Sequence, residues 1–230
     1  MVLQAYQKLG VGCFVQLKEN GKTESSAIGA GLFLLREKMA DILATAKAYS
    51  NLLDIEYHIL LGKKNKNISF TITFEKAHFF HLAGFHYLTD RTTLLYGDRT
   101  QLFHKILNGT ITTQQIESSD FYPQIKERIE HLAYLEEIMD SNKTVFKYNP
   151  RLETFSAIQA DFLLKNEVHS RNIFTFLSKD GSNGKYFCRS FFPQTDKDYS
   201  QNQTTWTLLY KKKIYKSNGQ ESVLFNKLQA

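Results

Sequence analysis

The chain has 230 residues, of which 42% are hydrophobic and 23% charged, and its formal net charge is +6. This composition excludes a disordered chain, and two cysteines exclude a disulfide-rich secreted scaffold. The longest apolar run, residues 27–35, is too short to span a bilayer, and no basic-then-apolar leader opens the chain. We therefore expect a cytoplasmic protein with no membrane partner.

The first half of the chain carries helical and hairpin patterns. Residues 1–35 are glycine-rich and are expected to form an appendage, in which an Asn-Gly turn would allow a hairpin. Apolar residues at three- and four-residue steps predict an amphipathic helix over 36–53. Alternating residues over 55–62 and 68–74 predict a β-hairpin with one buried face. Alternation then stops, and a short helix is predicted over 75–88.

Later segments complete the expected fold. Helices are predicted at 99–109 and 122–141, with a short helical link between them. From residue 144 onward, aromatic and β-branched residues predict strands. We therefore predict an α+β fold with an N-terminal helix and β-hairpin, several helices, and a C-terminal antiparallel sheet of four to five strands. Residues 36–230 would form one domain, with a helical half at 36–142 and a β-rich half at 143–230.

The positive charge is concentrated in the β-rich half. Residues 143–230 contain 14 lysines and arginines against 7 acidic residues, including the run Lys211–Lys213. A basic face favours an anionic partner, most often nucleic acid, and Trp206 could stack bases beside the lysines. For the lysines, an equally weighted alternative is a solvated surface that binds no partner. For Trp206, the alternative is a core residue on a strand.

The stretch FEKAHFFHLAGFHYL at residues 74–88 contains His78, His81 and His86. Its spacing lacks the pattern of a metal site, so we predict no metal and no cofactor. A histidine can move protons near neutral pH while a cation such as Arg189 stabilises the developing charge. The alternative is a half-buried histidine bonded to the backbone, which is favoured for His86 and equally weighted for His81.

This stretch resembles the F…HFxHLxGLxxL signature of the fourth subgroup of the phage barnase–EndoU–colicin–RelE-like nucleases. The resemblance continues in order through AKAYSNLL, IEYHILLGKKNKNISFTITF, FSAIQADFLLKN, NIFTFLSKD, YFCRSFFP and TTWTLLYKKKIY, and covers residues 36–216. It implies an α+β fold and a predicted metal-independent ribonuclease, carried by phages and mobile elements and proposed to act as a toxin or effector. A cognate inhibitor protein would be a further partner of such a toxin.

Carried over residue by residue, the family's histidines fall on His81 and His78, its Arg-Ser on Arg189 and Ser190, and its aspartate on Asp161. The leading hypothesis is an RNA-cleaving protein in which His81 is the general base or acid, Arg189 stabilises the phosphorane and Ser190 positions the phosphate.

Further substrate contacts are expected from the β-rich half. Lys211 and Lys213, which strand alternation places on one face, would guide the RNA backbone, with Asp161 and Trp206 as further substrate-binding residues. The alternative function is a non-catalytic nucleic-acid-binding or regulatory protein of a mobile element, and a third is a protein-interaction component with solvated lysines.

Overall fold

The computed structural model describes residues 41–153 and 156–228, so the hairpin expected within residues 1–35 lies outside this part. Its helices are α1 (Ile42–Leu52), α2 (Phe79–Leu82), α3 (Arg99–Leu107), α4 (Thr113–Glu117), α5 (Lys126–Leu132) and α6 (Leu135–Ser141). Its strands are β1 (Ile55–Lys63), β2 (Lys66–Thr73), β3 (Thr144–Lys147), β4 (Phe162–Val168), β5 (Arg171–Lys179), β6 (Tyr186–Pro193), β7 (Thr204–Tyr215) and β8 (Glu221–Asn226). None of the helices in these ranges is long and apolar enough to cross a membrane.

The strands form one sheet in the order β1-β2-β6-β5-β4-β3-β7-β8. Strand β7 also pairs with β1, which closes seven strands into a barrel and leaves β8 as an addition to β7. All neighbours are antiparallel except β2 and β6, which meet in parallel at Ile72 and Tyr186. The first part of β7 pairs with β3, and its later part pairs with β8.

The predicted α+β fold with a separate sheet of four to five strands is therefore wrong. The hairpin β1–β2 was expected to stand apart from the C-terminal strands, but it belongs to the same closed sheet. An unpaired strand edge leaves backbone N–H and C=O groups without partners, and pairing of β1 with β7 satisfies them. Sequence reasoning also missed β8 and the closure itself.

Two hydrophobic clusters hold the strands and helices together. The larger joins the helices to one face of the sheet, and the Tyr49 ring of α1 contacts Phe74, Phe79 and Phe103 within it. The smaller lies on the opposite face and consists of Tyr148, Leu163, Phe174 and Phe176, with Phe146, Ile158, Ala160, Phe192 and Tyr199 packed against them. The first three residues of β4 and residues 173–178 of β5 are buried on both faces, which explains the apolar runs in these two strands.

The histidine-rich stretch is not the single helix predicted over 75–88. A 3-10 turn at Lys76–His78 leads into α2, and Gly84 then adopts a left-handed conformation with φ +82° before a second 3-10 turn at Phe85–Tyr87. A Cβ at Gly84 would lie 2.8 Å from Cγ2 of Ile125, so glycine is needed both for the backbone angle and for close packing. This break sets where His81 and His86 lie relative to each other.

Candidate functional site

The imidazoles of His81 and His86 lie side by side, with ring centroids 5.1 Å apart. Burial lowers the pKa of His81, and the positive charges of Arg99 and Arg189 lower it further, as does His78 when it is protonated. Burial and the charges of His81, Arg128 and Arg99 lower the pKa of His86 to about 4. Both rings are therefore neutral near pH 7 and can accept a proton.

The position of His86 differs from the expectation of a structural residue. Its side chain is exposed, whereas His81 is half-buried. The sequence interpretation favoured a structural role for His86, because the order of the family-like motifs singled out His81 instead. In the structure, a turn at Gly84 interrupts the helix predicted over 75–88. A glycine inside a helical pattern is a sign of such a break, so Gly84 could have indicated it from the sequence.

His78 lies beside this pair but has a different environment. Its ring stacks on Phe187 of β6 at a centroid distance of 4.7 Å and an angle of 20°. Burial lowers its pKa, while the carboxylates of Glu75 and Asp180 oppose that effect. Its Nδ1 atom is buried and has no hydrogen-bond partner among the described residues. This placement makes His78 a packed, neutral neighbour of the pair near pH 7.

Three arginines from three elements lie close enough to act electrostatically on the histidine pair. Arg99 begins α3, Arg128 lies on α5 and Arg189 on β6, and the charges of all three act on His81 or His86. Within the described ranges, no carboxylate lies at ion-pair distance from any of these guanidinium groups. A group of unpaired cations around neutral imidazoles favours an anionic ligand. We call this set of three histidines and three arginines the histidine–arginine cluster.

Arg99 and Arg128 were missed by sequence reasoning. Arg99 follows the N-cap residue Asp98, so it places a positive charge in the first turn of α3, where the helix dipole favours a negative one. This electrostatically unfavourable position could have marked Arg99 as a candidate functional residue from the sequence alone. Arg128 had no comparable signal, because its approach to the histidines depends on how α5 packs on β6.

Arg189 lies at a β-bulge of β6, and its side chain is exposed. The register between β5 and β6 passes from Phe176–Ser190 to Leu177–Cys188, so Arg189 has no residue opposite it. Bulges bend a strand and redirect side chains, and Arg189 is exposed while Cys188 is buried at 2% exposure. Ser190 is half-buried next to it, and no hydrogen bond joins its hydroxyl to the histidines within the part of the chain described.

Lys211 and Lys213 are buried, whereas the hypothesis that they guide a nucleic-acid backbone calls for exposed side chains. Lys211 is 1% exposed, and its Nζ donates to the carbonyls of Met139, Asp140 and Asn142 at the end of α6. Lys213 is 4% exposed and forms ion pairs with Glu136 and Asp140. The alternation prediction placed both side chains correctly on one face, but that face is covered by α6.

Asp161 and Trp206 also have structural contacts. One oxygen of Asp161 lies 3.3 Å from Lys147 Nζ, and the other accepts a hydrogen bond from the backbone N–H of Lys179. Trp206 is half-buried on β7, opposite Val145, and packs against the larger hydrophobic cluster. Within the described ranges, none of these contacts is with the histidine–arginine cluster.

A second polar surface lies on the outer side of β1, β2 and β7. It is an open cleft of about 490 Å³ with His58, Lys185 and Lys212 in its lining. Its cations are paired, since Lys185 lies 2.6 Å from Glu56 and Lys212 lies 2.8 Å from Glu221. This electrostatic balance distinguishes it from the histidine–arginine cluster, whose arginines have no carboxylate partner among the described residues.

Comparison with known proteins identifies the family to which the chain belongs. Among the described residues, no group of three or more histidine, cysteine or acidic side chains is arranged to hold a metal ion. Neither a comparison with curated proteins nor one with solved structures gave a match. A family model described as phage-Barnase-EndoU-ColicinE5/D-RelE like nuclease4 matches residues 41–228. The match spans the barrel and its helices, and the chain therefore belongs to this nuclease family.

Proposed function

We propose that this protein is an endoribonuclease that cleaves RNA by general acid–base chemistry at His81 and His86. The observation that carries the proposal is the pairing of two neutral imidazoles, 5.1 Å apart, near arginines that have no carboxylate partner in the part of the chain that the structure describes. Membership of a nuclease family supports a nucleic-acid substrate. RNA is favoured over DNA because its 2′-hydroxyl supplies a nucleophile that one histidine can deprotonate.

The proposed reaction needs one proton acceptor and one proton donor. His86, with a pKa of about 4, is the neutral base that removes the 2′-hydroxyl proton. The 2′-oxygen attacks phosphorus, the bond to the 5′-oxygen breaks, and His81 gives its proton to that leaving oxygen. His81 becomes protonated when the phosphate anion binds, because a nearby negative charge raises the pKa of an imidazole. The products carry a 2′,3′-cyclic phosphate and a free 5′-hydroxyl.

The arginines would stabilise the charge that develops on the phosphorane oxygens. Arg189 is the first candidate, because the bulge displays it and its charge acts on His81. Arg99 acts on both histidines and is the second. Ser190 would position the phosphate from the residue next to Arg189.

Cleavage of tRNA and mRNA by the purified protein in the presence of EDTA tests this proposal. We expect 2′,3′-cyclic ends and a loss of about 10²–10⁴-fold in rate for His81→Ala. His104→Ala, an exposed histidine on α3, is the matched control and should retain activity. Absence of products with the unsubstituted protein, or equal rates for it and His81→Ala, would contradict the proposal. RNA binding without turnover would instead identify a non-catalytic binding protein.

The biological role proposed with this activity is that of a phage or mobile-element toxin or effector. The family description supports the link to phages. We expect induced expression to arrest growth of a bacterial host and His81→Ala to abolish the arrest. Arrest that persists in His81→Ala would show that the toxicity has another origin, and co-expression of neighbouring genes would identify an inhibitor protein.

A further inference from the structure

An exposed tyrosine adjoins the histidine pair. Tyr87 is 39% exposed, and its ring centroid lies 4.2 Å from that of His86, with 38° between the ring planes. Tyrosine is enriched at binding interfaces, because its ring gains from burial against a partner while its hydroxyl can still form a hydrogen bond. The His86–Tyr87 pair extends the surface of the histidine–arginine cluster with an aromatic face.

The Tyr87 ring is held in place from within the protein. The Arg128 guanidinium lies 5.1 Å from the ring centroid of Tyr87 and also 5.1 Å from that of Phe192 on β6. Arg128 Nη2 also donates a hydrogen bond of 3.5 Å to the Tyr87 hydroxyl. Two aromatic rings thus interact with the charge of Arg128, for which the described residues provide no carboxylate. A ring fixed in this way loses little conformational entropy when a ligand stacks on it.

The neighbourhood of Tyr87 matches the chemistry of a nucleotide. The arginines and imidazoles suit a phosphate, and the tyrosine ring beside them suits the flat face of a base. In a duplex both faces of a base are covered by its neighbours, whereas in a single strand a base can turn outward and stack on a side chain. A surface with one aromatic face next to one anion site therefore selects an unpaired nucleotide.

We propose that Tyr87 is the base-stacking residue for the nucleotide next to the scissile phosphate, and that the substrate is accordingly single-stranded RNA. This inference rests on the proposed function for the location of the phosphate. It assigns to Tyr87 a contact with the base and to Arg128 the positioning of the Tyr87 ring. Specificity for unpaired RNA then arises from the protein surface.

Equilibrium binding of 2′-fluoro hexanucleotides tests the inference without any cleavage, since the 2′-hydroxyl nucleophile is absent. We expect Tyr87→Leu to weaken binding about tenfold, within the range known for the loss of one stacked base. Tyr87→Phe keeps the ring and should stay within about twofold of the unsubstituted protein on the same grounds. A duplex of the same sequence should bind at least about tenfold more weakly.

Abasic hexanucleotides separate stacking from a general effect on the fold. In each of these hexanucleotides, a different base is replaced by hydrogen. When the missing base is the one that stacks on Tyr87, the unsubstituted protein and Tyr87→Leu should bind with equal affinity. Three results would each overturn the inference. The protein could bind single strand and duplex with equal affinity, or Tyr87→Leu could bind as tightly as the unsubstituted protein. Tyr87→Leu could also weaken binding to every abasic hexanucleotide. Thermal unfolding of both variants controls for folding: each should be fully folded at the temperature of the binding assay, although Tyr87→Leu loses the ring contact with Arg128.

The two proposals fail in different ways. RNA cleavage that depends on His81, together with unchanged binding in Tyr87→Leu, would overturn the stacking inference and leave the proposed function. The expected binding pattern without any cleavage would overturn the proposed function and leave Tyr87 as a stacking residue of a single-strand binder.

Discussion

The substitution Lys211→Met tests how the barrel holds α6. The Lys211 ammonium donates hydrogen bonds of 2.7, 3.2 and 2.6 Å to the carbonyls of Met139, Asp140 and Asn142. Methionine has a similar length but no donor, so three acceptors lose their partner. A buried polar group without a partner costs about 1–3 kcal/mol, which gives a total of about 6 kcal/mol for three.

A second effect opposes this loss near neutral pH. Burial lowers the pKa of Lys211 to about 8, against 10.5 for an ordinary lysine, with Lys143 adding to the effect and Asp140 opposing it. This difference means that the charged side chain costs about 3 kcal/mol of folding free energy at pH 7. Methionine removes that cost, so we expect Lys211→Met to lower the free energy of unfolding by about 3 kcal/mol at pH 7.

The pH dependence gives the distinctive result. The unfolded chain binds the Lys211 proton more tightly than the folded chain, so the stability of the unsubstituted protein rises with pH between about 8 and 10.5. Lys211→Met lacks this rise. The difference in unfolding free energy between the two proteins should therefore grow from about 3 kcal/mol at pH 7 to about 6 kcal/mol at pH 10.5.

Urea unfolding followed by the fluorescence of Trp206, the single tryptophan of the chain, measures this difference. Lys212→Met is the matched control, because Lys212 lies on the other face of β7 and pairs with the exposed Glu221. It should show little change in stability. A constant difference between the unsubstituted protein and Lys211→Met from pH 7 to 10.5 would refute the reasoning, since Lys211 would then titrate alike in both states.

Three further predictions concern other positions. Gly84→Ala should lower the free energy of unfolding by about 1–3 kcal/mol in urea titrations, because of its positive φ and the contact with Ile125, and unchanged stability would contradict this packing. In a Cys13→Ser background, Cys188 should react with a thiol reagent at pH 8 only after unfolding, since burial raises its pKa to about 12; rapid labelling of the folded protein would show that the site opens. Arg99→Gln should reduce the slope of log affinity against log salt for single-stranded RNA by about 0.7, and an unchanged slope would mean that Arg99 contacts no phosphate.

Local patterns predicted the individual elements well. The hairpin expected over 55–62 and 68–74 is β1 and β2, because alternating apolar residues need one buried face. Gly109 follows α3 with φ +78°, as expected of a residue that ends a helix. The helix predicted over 122–141 is divided into a 3-10 turn, α5 and α6, and that division left no mark in the apolar periodicity.

Long-range arrangement could not be predicted in the same way. The pairing of Tyr57 with Lys213 joins strands that are far apart in sequence, and alternation within each strand gives no partner. The same limit explains why the exposed lysines expected on β7 are buried under α6. For the candidate site, the stretch around His81 could be identified from the sequence, but the approach of Arg128 depends on the packing of α5.

Closure of the barrel also determines when this protein can fold during its synthesis. Strand β1 is synthesised well before its partner β7, which extends to Tyr215, so the ring of strands stays open until β7 has left the ribosome. Contacts of such high sequence separation form slowly, and the open edges of β1 and β3 can meanwhile pair with other chains. A chain that stops before β7 would therefore expose two strand edges and would be prone to aggregate.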